Sequence, residues 1–138
     1  MKNNKFVGPV YKESEAFILA NFYEKSTHSI LYIGKDDIEI NSIENKLKWL
    51  FPNDLIFTFR SWDQIPYDLV SPSKEIQLER IKTLYYLHST NKKKIILTTI
   101  NAVLQKTLHK DFILKNSFEI YEKKKNNFNE LISKLLTL

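Results

Sequence analysis

The chain has no cysteine and only two glycines, Gly8 and Gly34, in 138 residues. Without cysteine there is no disulfide framework, no thiolate metal site and no cysteine nucleophile. With so little glycine there is no phosphate loop. Such a loop needs Gly-x-x-x-x-Gly-Lys-Ser/Thr, so that backbone amides wrap a phosphate and lysine neutralises it. Counting from Gly8, the positions for the second glycine, the lysine and the hydroxyl residue hold Glu13, Ser14 and Glu15. Carboxylates there repel a nucleotide instead of cradling it. Gly34-Lys35 runs into Asp36, and Ser29 stands where its upstream glycine would be. ATP binding by this chain alone is not expected. Arginine is also scarce, with only Arg60 and Arg80.

No apolar run approaches the roughly 20 residues that a membrane span needs. The start, Met1-Lys2-Asn3-Asn4-Lys5-Phe6, lacks the apolar core of a signal peptide. A cytoplasmic protein is the expectation. What is present is 43% hydrophobic and 13% aromatic residues, enough for a core, in a length that suits one domain. The formal charge is +5 and the pI about 9.3. The lysines gather at Lys92-Lys93-Lys94 and Lys123-Lys124-Lys125, each cluster beside a predicted strand. Base reading leans on arginine forks, whereas lysine gives a diffuse, salt-sensitive attraction to phosphate. Solvated lysines at strand ends are therefore expected, with a nucleic-acid groove as the alternative.

Apolar spacing predicts a helix over Ser14–Glu24, with Ala16, Phe17, Ala20 and Tyr23 on one face and Leu19 and Phe22 broadening it. Ser29–Ile33 predicts a strand ended by Gly34. Ser42 predicts the cap of a helix carrying Ile43, Leu47 and Leu50, which stops at Pro52. Leu55–Phe59 predicts a second strand. After it comes Phe59-Arg-Ser-Trp-Asp-Gln-Ile-Pro-Tyr-Asp-Leu-Val-Ser-Pro72, a loop stiffened by Pro66 and Pro72 and anchored by Trp62 and Tyr67. Ser71 or Ser73 caps the next helix, to about His88, with Pro72 in its first turn and Ile76, Ile81, Leu84 and Leu87 as its stripe. Lys94–Thr98 predicts a third strand. Thr99 or Asn101 caps a short helix over Ala102–Leu108, and Phe118–Tyr121 predicts a fourth strand. Residues 126–138 predict an amphipathic helix.

Strands alternating with helices predict an α/β fold, a three-layer parallel sheet of βαβ units over residues 1–116. The strands lack polar alternation, as expected where helices cover both faces. From residue 117 the pattern changes, and 117–138 reads as the start of a second α+β domain, cut short; the chain is expected to be a fragment.

Catalytic groups are sparse. His28, His88 and His109 stand alone, without a second ligand at metal-binding spacing. Asp63 and Asp68 could form a carboxylate pair, although loop aspartates more often accept from nearby backbone amides. Ser71 has no base near it in sequence and suits a helix cap better than a nucleophile. No catalytic residue, cofactor site or metal site is assigned.

The pattern Trp62-Asp63-x-x-Pro66-Tyr67-Asp68-x-x-Ser71-Pro72, followed by Glu75-Ile76 and Arg80-x-x-x-Leu84-Tyr85-x-Leu87, resembles the N-terminal region of bacterial transcription-repair coupling factors. Thr98-Thr99-Ile100-Asn101-Ala102-Val103-Leu104-Gln105-Lys106 is similar to a later segment of that family, with Lys106 where arginine is usual. The resemblance implies a first domain like that of the B subunit of the UvrABC excision nuclease, a degenerate P-loop-NTPase-like fold without its ATPase motifs. It implies a non-catalytic module in transcription-coupled nucleotide excision repair, which docks partners and restrains a downstream ATP-driven DNA translocase. ATP would bind only that motor. The implied partners are the UvrA-type damage-recognition subunit, through the second domain, then RNA polymerase and DNA through downstream domains, and the motor itself. The residues matching the pattern (Trp62, Asp63, Pro66, Tyr67, Asp68, Ser71, Pro72, Arg80, Thr98, Asn101, Leu104 and Gln105) are expected to hold the fold. A stand-alone nucleic-acid module using the lysine clusters, and a phosphate-handling enzyme using Asp63 and Asp68, are the alternatives.

Overall fold

The computed structural model describes residues 6–64, 71–120 and 128–136. Three strands, β1 (Ile30–Gly34), β2 (Leu55–Phe59) and β3 (Lys94–Thr99), form an all-parallel sheet in the order β1-β3-β2. Ile30 pairs with Ile95 and Ile56 also pairs with Ile95, so β3 is the central strand. Every residue of β3 is buried. A central parallel strand has neighbours on both edges and helices on its faces, which is why Lys94-Ile-Ile-Leu-Thr-Thr99 has no alternation of polar and apolar residues. The predicted α/β class and its βαβ units are borne out.

Helices α1 (Glu15–Lys25) and α2 (Asp37–Leu50) cover one face. Ala16, Leu19, Ala20 and Tyr23 of α1 meet Ile40, Ile43 and Leu47 of α2 over Ile95 and Leu97, with Ile30, Tyr32 and Ile56 at the margin. Leu19, not Phe17, lies on the buried face of α1; Phe17 and Phe22 are exposed. Helix α2 starts five residues before the expected cap Ser42, because the Asp36 carboxylate accepts from the Glu39 amide at 2.9 Å and so closes an earlier first turn. Gly34 has a packing reason: a Cβ there would stand 2.8 Å from Ile40 Cδ1 and 2.9 Å from Glu39 Oε1. Its lack of a side chain lets β1 run directly under the start of α2.

The other face carries α3 (Lys74–Ser89), then α4 (Ile100–Leu104) and α5 (Lys110–Lys115). The expected helix over Ala102–Leu108 starts earlier and stops at Leu104; residues 105–109 are not helical, and α5 is a separate helix beyond them. Thr99, not Asn101, caps α4 by accepting from the Ala102 amide at 3.4 Å, and His109 caps α5 by accepting from the Asp111 amide at 3.3 Å. The expected strand at Phe118–Tyr121 is absent over 118–120, and Tyr121 lies outside the described residues. Helix α6 (Phe128–Leu136) closes the described chain. Among the described residues, no helix is long and apolar enough to cross a membrane.

Candidate interaction surfaces

The α3 face is organised around a buried cation. Arg80 sits in the middle of α3 and is only 2% exposed. Its guanidinium lies between two aromatic rings, 4.1 Å from the centre of Phe59 at the end of β2 and 4.2 Å from that of Trp62 just beyond it. A cation over an aromatic face is attracted by the ring quadrupole, by about 0.5–2 kcal/mol. Its Nη1 donates to the Arg60 carbonyl at 2.5 Å and to Gln105 Oε1 at 3.0 Å. Gln105 Oε1 also accepts from the Trp62 amide at 3.0 Å. One guanidinium thus ties α3, the exit of β2 and the end of α4 together. Burial lowers the pKa of Arg80 from its ordinary value, though a guanidinium stays charged.

Other motif residues join this clasp or frame it. Thr98 Oγ1 donates to the Phe59 carbonyl at 2.8 Å across β3 and β2, and Thr83 Oγ1 to the Thr58 carbonyl at 3.0 Å. Asp63 accepts from the Ser73 amide at 3.1 Å, and this bond holds its carboxyl below the usual carboxylate range. Ser73, rather than Ser71, caps α3, accepting from the Ile76 amide. Pro72 therefore precedes the cap instead of occupying the first turn, and its carbonyl accepts from Gln77 Nε2 at 2.7 Å. Asn101 and Leu104 are exposed, as is Ser71. Pro66, Tyr67 and Asp68 lie outside the described residues, and with them the expected pairing of Asp63 with Asp68.

The same face is only partly covered. Helix α3 buries Arg80 and Thr83, while the expected stripe residues Ile81 and Leu87 are exposed. On β1, Ile30 and Tyr32 join the α1/α2 core, which turns Leu31 and Ile33 to the opposite side. There they are 56% and 48% exposed. The expectation of helices over both faces of every strand fails at β1. Leu31 lines a shallow apolar groove of about 280 Å3 with Phe59, Leu84, Leu87, Ile96 and Val103. Val103 and Leu104 of α4 and Leu108 extend this apolar surface.

The turn from β1 into α2, the strand-to-helix turn where a nucleotide-binding fold would hold phosphate, carries acids, whereas the Gly8-based candidate lies ahead of α1 with no strand before it among the described residues. Glu13, ahead of α1, pairs with Lys46 at 2.7 Å, and that contact lowers its pKa. At the start of α2 the Asp36 carboxylate occupies the helix N-terminus, with Asp37 and Glu39 in the first turn. Glu39 accepts from the Tyr32 hydroxyl at 2.6 Å; burial, and then this bond, push the Tyr32 pKa up. Among the described residues there is no cluster of His, Cys, Asp and Glu suited to a metal.

The lysines of 92–94 are not all solvated. Lys94 is buried, and its ammonium donates to the carbonyls of Tyr86 at 2.9 Å and Thr90 at 2.5 Å. Lys93 donates to the Tyr23 carbonyl and lies 3.9 Å from the Tyr23 ring centre. Together with Lys92 it borders a cavity of about 440 Å3 at the N-terminal ends of β2 and β3, the end opposite to where parallel sheets usually bind ligands. Lys123–Lys125 lie outside the described residues.

No family profile matches the chain. Curated proteins do. The chain is 30% identical over 115 residues to the transcription-repair-coupling factor of Rickettsia bellii, an alignment covering 83% of the chain and 10% of that protein. It is 28% identical over 125 residues to the transcription-repair-coupling factor of Borreliella burgdorferi, covering 90% of the chain and 11% of that protein. For the Escherichia coli transcription-repair-coupling factor the identity is 21% over 109 residues, covering 79% and 9%. The chain thus spans about a tenth of the length of the relatives it matches.

Proposed function

From a chain related over most of its length to one segment of the transcription-repair-coupling factors, we propose that this is their N-terminal α/β module, non-catalytic by itself. It serves transcription-coupled nucleotide excision repair, in the cytoplasm, by docking other protein and by restraining a downstream ATP-driven DNA translocase. The observation that carries this reading is the half-open α3 face. Helices have covered the α1/α2 face with a closed apolar core, whereas Leu31, Ile33, Leu87 and Val103 stay exposed on the other. Contiguous exposed apolar surface of this kind marks a protein contact. The occupant is the remainder of a coupling-factor polypeptide, about nine-tenths of which has no counterpart here. The UvrA-type subunit, RNA polymerase and DNA are partners of that larger assembly.

Acids at the starts of α1 and α2 support a role without nucleotide. Glu13 and Glu15 stand at the glycine-poor loop, and Asp36 fills the N-terminus of α2 with its own carboxylate. A triphosphate brought to either place meets negative charge. Internal use of Lys93 and Lys94 likewise speaks against a DNA groove at the first lysine cluster. ATP with magnesium is expected to leave the melting temperature of the pure chain unchanged, and DNA to induce no ATP turnover. Saturable ATP hydrolysis that survives further purification would overturn the non-catalytic reading.

A further inference from the structure

The apolar groove beside β1 continues past Leu84. It shares Leu84 and Thr107 with a second cavity of about 310 Å3, walled by Trp62, Gln77, Ile81, Lys106 and Leu108. The two hollows form one trough, with α3 along one side and α4 with residues 105–108 along the other. Arg80 adds no polar handle to it, because its guanidinium is enclosed between the Phe59 and Trp62 rings. The rim is apolar and open: Leu31, Ile81, Val103 and Leu108 are each half-exposed. Strands of a parallel sheet carry helices on both faces. On β1 that rule is met by α1 and α2 on one face, while Leu31 and Ile33 stay half-exposed on the other. The vacant place beside α3 is therefore that of a helix.

We propose that the trough seats an amphipathic helix from the remainder of a coupling-factor polypeptide, with two apolar side chains of one helix face filling the two hollows. The inference rests on the docking role for the source of the helix, about nine-tenths of each such relative lying beyond the matched stretch. Its binding chemistry is separate from that role. Side chains four residues apart share one face of a helix and can enter neighbouring hollows together. An added strand would pair along the free edge of β1. It would leave the hollow at Trp62 and Ile81 empty, since no residue of β1 lines that hollow. Lys106, exposed at the rim, and the net charge of +5 favour acidic residues on the flanks of the helix. The chain's own α6 carries an exposed apolar stripe, Phe128, Ile132 and Leu135, and is the competing occupant that the test must separate.

The test uses the 138-residue chain carrying Trp49→Phe, so that Trp62, in the wall of the trough, is its remaining tryptophan. Three end-blocked peptides of about 16 residues, built of alanine, glutamate and lysine with a net negative charge, are titrated into it. One carries two leucines four residues apart, one carries them two residues apart, and one has alanine at both places. A saturable change in Trp62 emission is expected with the first, about tenfold tighter than with either of the others. Ile81→Asp is expected to weaken that binding about tenfold without lowering the melting temperature. Leu78→Asp, on α3 but outside the trough, is expected to leave it unchanged. Equal binding of the first two peptides, or tighter binding of the second, would overturn the proposal. So would the absence of saturable binding by the first. Binding that appears only after Phe128→Glu with Ile132→Glu would also overturn it, by assigning the trough to α6. None of these failures removes the docking role, which is read separately from binding of the chain to a coupling factor that lacks the matched stretch.

Discussion

The two faces of the sheet are built by different physics. Against α1 and α2 the contacts are apolar: Ala16, Leu19, Ile40, Ile43 and Leu47 close over Ile95 and Leu97. Against α3 a smaller apolar cluster, Phe59, Ile96 and Ala102 with Leu84, is joined by buried polar groups, Arg80, Thr83, Thr98 and Lys94, each tied to a backbone carbonyl, and Phe57 stacks on Tyr86 at 4.9 Å. On the first face the apolar core is closed, although Glu15 and Asp37 each keep one buried carboxylate oxygen without a hydrogen-bond partner among the described residues. The second leaves Leu31 and Ile33 bare and one guanidinium nitrogen unmet. One face stabilises the domain, and the other both stabilises it and remains open to a partner.

The comparison can be broken most sharply at the closed face. Leu47→Ala, at a fully buried position, is expected to destabilise the chain by about 3–4 kcal/mol in urea unfolding. A loss below about 1 kcal/mol would mean that this core is looser than its packing implies. Arg80→Met keeps the volume but strips donors from the Arg60 carbonyl and Gln105. The expected loss is about 2 kcal/mol by the same measurement, and a gain in stability would show that the clasp is a burden retained for binding. Gln105→Ala leaves the Trp62 amide without its acceptor and is expected to cost about 1 kcal/mol. At the open face, Leu31→Lys with Ile33→Lys should move stability by no more than about 0.5 kcal/mol. A large loss there would mean that these side chains already have a cover.

The smallest effect is a pH dependence. The Ser73 amide holds the Asp63 pKa below its ordinary value, so the carboxylate form is favoured by folding. Its contribution is present above the ordinary carboxylate pKa and fades as pH falls through the folded value. Melting curves of the parent and Asp63→Asn should differ slightly at pH 6 and converge only as pH falls below the ordinary carboxylate range. A gap that widens on acidification would contradict this role.

Apolar runs made the three strands and the α/β class legible, because a parallel strand with helices on its faces can afford few polar residues. Leu55–Phe59 was located to the residue. The α1/α2 core was legible apart from which face of α1 turns inward, since Phe17 and Leu19 fit the spacing equally well. The α3 face was not, because its buried residues, Arg80 and Thr83, read as surface residues on any hydropathy pattern. Arg80 stood out only through the family-like motif, and Gln105 likewise. Their meeting needs the turn after β2 and the early end of α4, which spacing does not encode. Asp36 could have been read as the α2 cap, since Glu39 follows three residues later. Lys94 was misplaced for a different reason: a lysine opening a central strand can bury its stem and give its ammonium to helix-end carbonyls.

The central claim is that this segment restrains a motor elsewhere in a coupling factor. It is tested most directly by measuring ATP turnover of the Rickettsia bellii transcription-repair-coupling factor with and without the stretch that this chain matches. The account predicts that deletion raises turnover several-fold and that adding the present chain in trans lowers it again, less so when it carries Leu31→Lys and Ile33→Lys. Turnover that stays the same or falls on deletion would contradict it.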